Sequence, residues 1–81
     1  MARYYLHLRD ATDEILDLEG IDFANFEALH AGTLACARDI MSDDIKNRGV
    51  MDQRYRIDAE DLTGAIIHTL SFKDAVTIMY G

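Results

Sequence analysis

The chain has no proline, no tryptophan and one cysteine, Cys36, in 81 residues. A lone cysteine excludes an internal disulfide. Without proline, and with five glycines scattered singly, the chain carries no linker, low-complexity tract or repeat, so residues 1–81 read as a single domain. No uncharged run approaches the roughly 18 residues that would cross a bilayer. Basic residues are also scarce: 8 Lys and Arg stand against 15 Asp and Glu, for a net charge of −7. Such a surface repels phosphate backbones and anionic lipids, which argues against direct nucleic-acid binding and against a membrane. The same surplus suits a basic protein partner. The opening Met1-Ala2-Arg3-Tyr4-Tyr5-Leu6-His7 lacks the apolar core of a signal peptide. Together these absences place the protein in the cytoplasm.

What is present is an ordinary globular balance, 49% apolar and 28% charged, rather than a disordered one. A chain this short buries only about 60% of the surface its unfolded form exposes. The expected core is therefore thin, and burial against a partner subunit would add to it.

The periodicity predicts the order strand, strand, helix, strand, strand. Tyr4, Leu6 and Leu8 alternate with Tyr5, His7 and Arg9, as a half-buried strand requires. Asp10 to Asp13 reads as a turn, and Glu14 to Leu18 as a second strand closing a hairpin. Asn25 is suited to cap a helix that runs to about Asn47 and stops at Gly49. At 100° per residue, Phe26, Leu29, His30, Thr33, Leu34, Cys36, Ala37, Ile40, Met41 and Ile45 fall in one broad apolar sector. Tyr55, Ile57 and Ala59 then alternate with Arg54, Arg56 and Asp58. A turn at Glu60 to Gly64 leads into the β-rich run Ala65 to Leu70. Ser71 with Asp74 suggests a capped helical turn, and Val76 to Tyr80 a last strand. The expected fold class is α+β, a small antiparallel sheet in ββαββ order with one long amphipathic helix on one face.

No motif assigns a chemistry. The three histidines, His7, His30 and His68, form neither H-x-H nor H-x-x-x-H, and Cys36 has no C-x-x-C partner, so no metal site is expected. His7 and His68 would meet only if their strands were neighbours. Asp10, Asp13 and Glu14, and again Asp58, Glu60 and Asp61, read as solvated turn carboxylates. They lack the contrast of environment that separates an acid from a base. Cys36 lies in the apolar sector of the helix and reads as a small buried hydrophobe. No phosphate-cradling glycine loop or nucleophile elbow occurs. The reading expects no cofactor, no catalytic residue and no enzyme.

Two surfaces lean towards association. Ala28, Ala31, Gly32 and Ala35 line the far side of the helix, where small side chains let a second backbone approach. Gly32 in mid-helix costs about 1 kcal/mol relative to alanine, which asks for a packing reason. Tyr5, His7, Arg9, Arg54 and Arg56 share the outer face of the sheet, and aromatic and arginine side chains suit contact surfaces.

Several blocks carry a family resemblance. They are Arg3 to Asp10, Asp17 to Ile21, Glu27-Ala28, Ala37-Arg38-Asp39, Asp61 to Gly64 and Phe72 to Val76. In this order they resemble a family of short bacterial proteins classed only as a domain of unknown function. The chain departs from that pattern at Ala11, Ala24, Asn25 and Ser71. The resemblance implies no activity, cofactor or site residue. A weaker similarity, two strands and a helix opening with Glu27-Ala28-Leu29, is to the HicB-like antitoxin half-domain.

The expectation is thus an interaction or accessory module without catalytic activity that forms a homodimer. The alternative is an antitoxin-like regulatory module binding a basic protein. A third reading is a small enzyme or ligand binder using His7, His68 and nearby carboxylates.

Overall fold

The structure, a computed structural model, describes residues 1–81. Strands β1 (Ala2–Arg9), β2 (Glu14–Ile15) and β3 (Ile21–Phe23) precede helix α1 (Phe26–Arg48). Strands β4 (Arg56–Glu60) and β5 (Ile66–Ser71) follow it, and a 3₁₀ turn spans Phe72–Asp74. The α+β class is as expected, with one strand more than the ββαββ order. The sheet is antiparallel throughout, in the order β2-β1-β4-β5, with β3 also on β1.

The helix ends where its caps dictate. Asn25 is extended, and its Oδ1 accepts the Ala28 amide at 2.8 Å, satisfying one donor of the first turn. Gly49 adopts a left-handed φ of 66° and donates to the Ile45 carbonyl at 3.0 Å, a conformation that costs glycine nothing.

The alternation of β1 also holds. Leu6 is buried, Tyr4 and Leu8 pack beside it, and these meet Ile57, Ala59 and Leu70 under the helix. The helix contributes Leu29, Thr33, Ala37 and Met41, spaced four residues apart. Phe72 and Ala75 close the end of this layer. Only 12 of 81 residues are buried, so the core is as thin as the chain length implies.

The differences from the sequence reading have physical causes. A 23-residue helix is about 34 Å long, while the five residues of β4 span only about 17 Å. Phe26 and Ile45, near its two ends, therefore overhang the sheet and stay exposed, and His30 at its flank is exposed as well. The second strand is two residues, not five, because the chain leaves β1 after Ile15 and returns at Ile21. Glu60 belongs to β4 rather than to the turn, and Arg54 precedes that strand. Ser71 makes no side-chain cap. No strand forms over Val76 to Tyr80. There the Arg38 Nε donates to the Ala75 carbonyl at 2.8 Å, tying the tail to the helix instead of the sheet.

Candidate functional site

Three places hold the residues that the sequence singles out. The first is the outer sheet face, which carries a polar network centred on Arg9. Its guanidinium reaches Glu60 at 2.6 Å, Glu14 at 2.9 Å and Asp58 at 3.0 Å. Asp58 also accepts from Arg56 Nε at 3.2 Å and from the Thr69 hydroxyl at 2.8 Å. Asp58 is 2% exposed, so it is not the solvated turn carboxylate that its acidic neighbours suggest. Burial alone would raise its pKa, but the bonds from Arg9, Thr69 and Arg56 outweigh this and hold it low. Each polar group here is spent on another within the chain, and no buried side-chain polar atom lacks a partner.

Tyr5 and His7 stack on that face with ring centroids 6.4 Å apart. The His7 Nδ1 accepts the Asp17 amide at 3.1 Å, and its Nε2 lies 3.6 Å from Glu60. In the neutral ring this acceptor role leaves the proton on Nε2, facing the Glu60 carboxylate. Arg54 lies outside the face and chelates Asp52 at 2.9 and 3.0 Å. That bond holds the Asp52 carboxyl down to about 2. A shallow hollow beside Arg9 and Arg56 is floored by the Asp10 to Glu14 turn, with no apolar enclosure to hold a small ligand.

The second place is the small-residue side of the helix. Ala31 and Ala35 are exposed, whereas Ala28 and Gly32 are half-buried. The packing reason for Gly32 is internal. A Cβ there would sit 2.7 Å from Phe23 Cζ and closer still to Cε1, so the glycine admits the β3 aromatic ring rather than a second chain.

The third place went unread in the sequence. His7 and His68 are not neighbours, because β4 separates β1 from β5 and the two rings lie on opposite faces. His68 faces the helix, and its Nε2 is 3.1 Å from the Nδ1 of His30. The rings are nearly perpendicular with centroids 5.0 Å apart, and Phe26 meets His68 edge-on at 5.4 Å. Burial and the neighbouring His30 lower the pKa of His68. The usable signal was parity: His68 shares the phase of Leu70 in its strand, and His30 lies in the apolar sector of the helix. Cys36 is half-buried, and burial raises its thiol pKa, as do Asp39 and Asp17. It therefore rests as the weakly reactive thiol. No group of three or more His, Cys, Asp or Glu side chains converges on a point where a metal would sit.

Beside the His30–His68 pair runs the free edge of β5. This strand pairs with β4 alone, and no residue from Ile66 to Ser71 is charged. Ile66 and Ile67 are exposed at its start. The opposite edge differs. Five residues lie between Ile15 and Ile21, where three lie between their partners Leu8 and Tyr4. That edge is thus two short strands with a break, the arrangement that blunts sheet edges against pairing.

Against known families, residues 3–73 match the family described as Domain of unknown function (DUF6894). The chain belongs to this family. The match covers the blocks on which the resemblance rests except Asp74 to Val76 of the last one; the likeness to HicB-like antitoxin domains is not shown. No curated protein and no solved structure matches. No helix is long and apolar enough to cross a membrane.

Proposed function

We propose that this member of the DUF6894 family is a protein-interaction module that self-associates by pairing its β5 edge with that of a second copy. The observation that carries this is the contrast between the two sheet edges. One is short, broken and rich in Asp17, Glu19 and Asp22. The other, Ile66–Ser71, is a single uncharged strand whose outer edge is unpaired; its one irregularity is at Ile67, which the register with β4 skips. In a chain of charge −7 two copies repel over most of their surface. An uncharged edge is where their backbones can come within hydrogen-bond distance. Pairing would cover Ile66 and Ile67 and enlarge a core of only nine buried apolar residues. A single free cysteine, Cys36, suits a reducing compartment, and we place the module in the bacterial cytoplasm.

Light scattering across a range of concentrations tests this reading. The expected mass is twice that of the 9.2 kDa chain, and Ile67→Lys, which puts a charge on the edge, returns it to the monomer. A chain that stays monomeric at high concentration, or a dimer indifferent to Ile67→Lys and to other edge charges, would sink the proposal.

A further inference from the structure

The His30–His68 contact has a geometry that one chain alone leaves unused. Two imidazole nitrogens bound to one ion at about 2.0–2.1 Å stand about 2.9 Å apart at a right angle and about 3.4 Å apart at the tetrahedral angle. The pair is set at 3.1 Å, between those limits. Neither ring makes any other hydrogen bond: the Nε2 of His30 and the Nδ1 of His68 carry no partner within the chain. His30 is exposed, so its ring is free to turn its lone pair from His68 towards a shared ion. His68 is held towards the neutral, ligating form by burial and by His30. Two ligands hold an ion weakly, and no third donor of the same chain converges on them.

Symmetry supplies the missing donors. When two β5 strands pair antiparallel about a two-fold axis, the axis is normal to the sheet and helix face continues into helix face. Directly opposed residues must share a face, so a residue can oppose only residues of its own parity, and one residue opposes itself. The register shift at Ile67 interrupts the alternation at the start of the strand, so this rule applies to His68–Ser71, and two registers bring the two His68 close. One sets His68 against the partner's His68, with Cβ atoms about 4.5–5.5 Å apart; the other sets Thr69 on the axis and leaves the two His68 as diagonal neighbours about 7–8 Å apart. In both, the two histidines lie on one face within reach of a common ion, each with its own His30 beside it.

We propose that the two His30–His68 pairs of the β5-paired dimer form one four-imidazole site for a divalent transition-metal ion, with Zn²⁺ the best fit. Zn²⁺ accepts four nitrogen ligands tetrahedrally without redox chemistry. This inference rests on the β5 pairing proposed above, and its metal site is the interface's own tie.

Zinc chloride is titrated into the full-length chain at pH 7.5, with mass followed by light scattering and stoichiometry by calorimetry. The expected result is one Zn²⁺ per two chains and a dimer tightened by about tenfold or more when zinc is in excess. Co²⁺ in its place should show the intense visible bands of a tetrahedral site. His30→Ala, at an exposed helix position outside β5, should abolish the zinc response while leaving zinc-free dimerisation in place, and His68→Gln should abolish the zinc response as well. Ile67→Lys should abolish both. A dimer that ignores zinc, or that takes up one ion per chain, overturns the metal site and leaves the β5 pairing standing. A monomer with and without zinc overturns the pairing, and the metal site with it.

Discussion

The Asp17 carboxylate accepts the Leu6 amide at 3.2 Å, filling the place of a strand carbonyl where the chain breaks between β2 and β3. Its second oxygen accepts the Glu19 and Gly20 amides at 3.1 Å each, while its own amide donates to His7. One side chain thus converts a ladder interruption into a closed loop. Burial opposes ionisation of Asp17, yet the backbone bonds from Gly20, Leu6 and Glu19 win and lower its pKa. The edge is blunted while the amides of Leu6, Glu19 and Gly20 keep an acceptor.

Asp17→Ala leaves three amides without their acceptor, one of them that of the buried Leu6. We expect a loss of about 1–3 kcal/mol in stability, read as a lower urea midpoint. Asp17→Asn keeps one accepting oxygen and should recover part of that loss. Equal midpoints for wild type and Asp17→Ala would show that the loop does not depend on this carboxylate.

Gly32→Ala should fail to stabilise the helix, although alanine is intrinsically favoured there by about 1 kcal/mol. The new methyl group meets the Phe23 ring, which must leave its place against Tyr4, 6.3 Å between centroids. In a Phe23→Ala background the clash disappears and the same change should stabilise by about 1 kcal/mol. A double-mutant cycle measured by denaturant unfolding reads this reversal directly. A stabilised single mutant would mean that the ring yields freely.

These contacts show what was legible before the structure and what was not. Asn25, Gly49 and the Tyr4-Leu6-Leu8 alternation act through their own neighbours, so local rules find them. Gly32 was legible as a position needing a reason, but the reason, Phe23, sits on a three-residue strand too short to carry a period. Asp58 lay in an acidic run that looked solvated. Its burial depends on Arg9, 49 residues away in sequence, and on a register that only strand pairing sets. His30 and His68 were each visible, yet their meeting depends on strand order. The β-branched tail misled because propensity alone does not make a strand: Arg38 ties the tail's start to the helix, and the free edge of β5 stays unpaired.

Removing the Arg9 side chain should cost more than an exposed ion pair does. Arg9→Met leaves Asp58 and Glu60 without their shared cation, and Asp58 is 2% exposed. Arg56 and Thr69 still reach it, so we expect about 1–3 kcal/mol rather than the full cost of an orphaned buried charge. The pH dependence follows from the lowered pKa of Asp58. Its folded value lies below the unfolded one near 3.8, so its contribution is complete above that value and is lost as pH falls through the folded value. Urea midpoints between pH 7 and pH 3 should therefore drop, and drop less in Arg9→Met. Parallel pH profiles for the two proteins would contradict the assignment.

His68 sets a second pH window with the same sign and a different cause. Burial, then His30, lowers its pKa from 6.5, so the unfolded chain takes up its proton first. Stability is complete above about 6.5 and declines as pH falls from there towards the folded value. A charged His68 would face His30 and the Phe26 ring, with no carboxylate bonded to it, so the seam between α1 and β5 should loosen first. Thermal unfolding at pH 7.5 and pH 5.5 should show a lower Tm at the acidic value. His68→Phe, which keeps an aromatic ring against Phe26 and cannot titrate, should flatten that difference. If the variant keeps the full wild-type drop, the titrating group lies elsewhere.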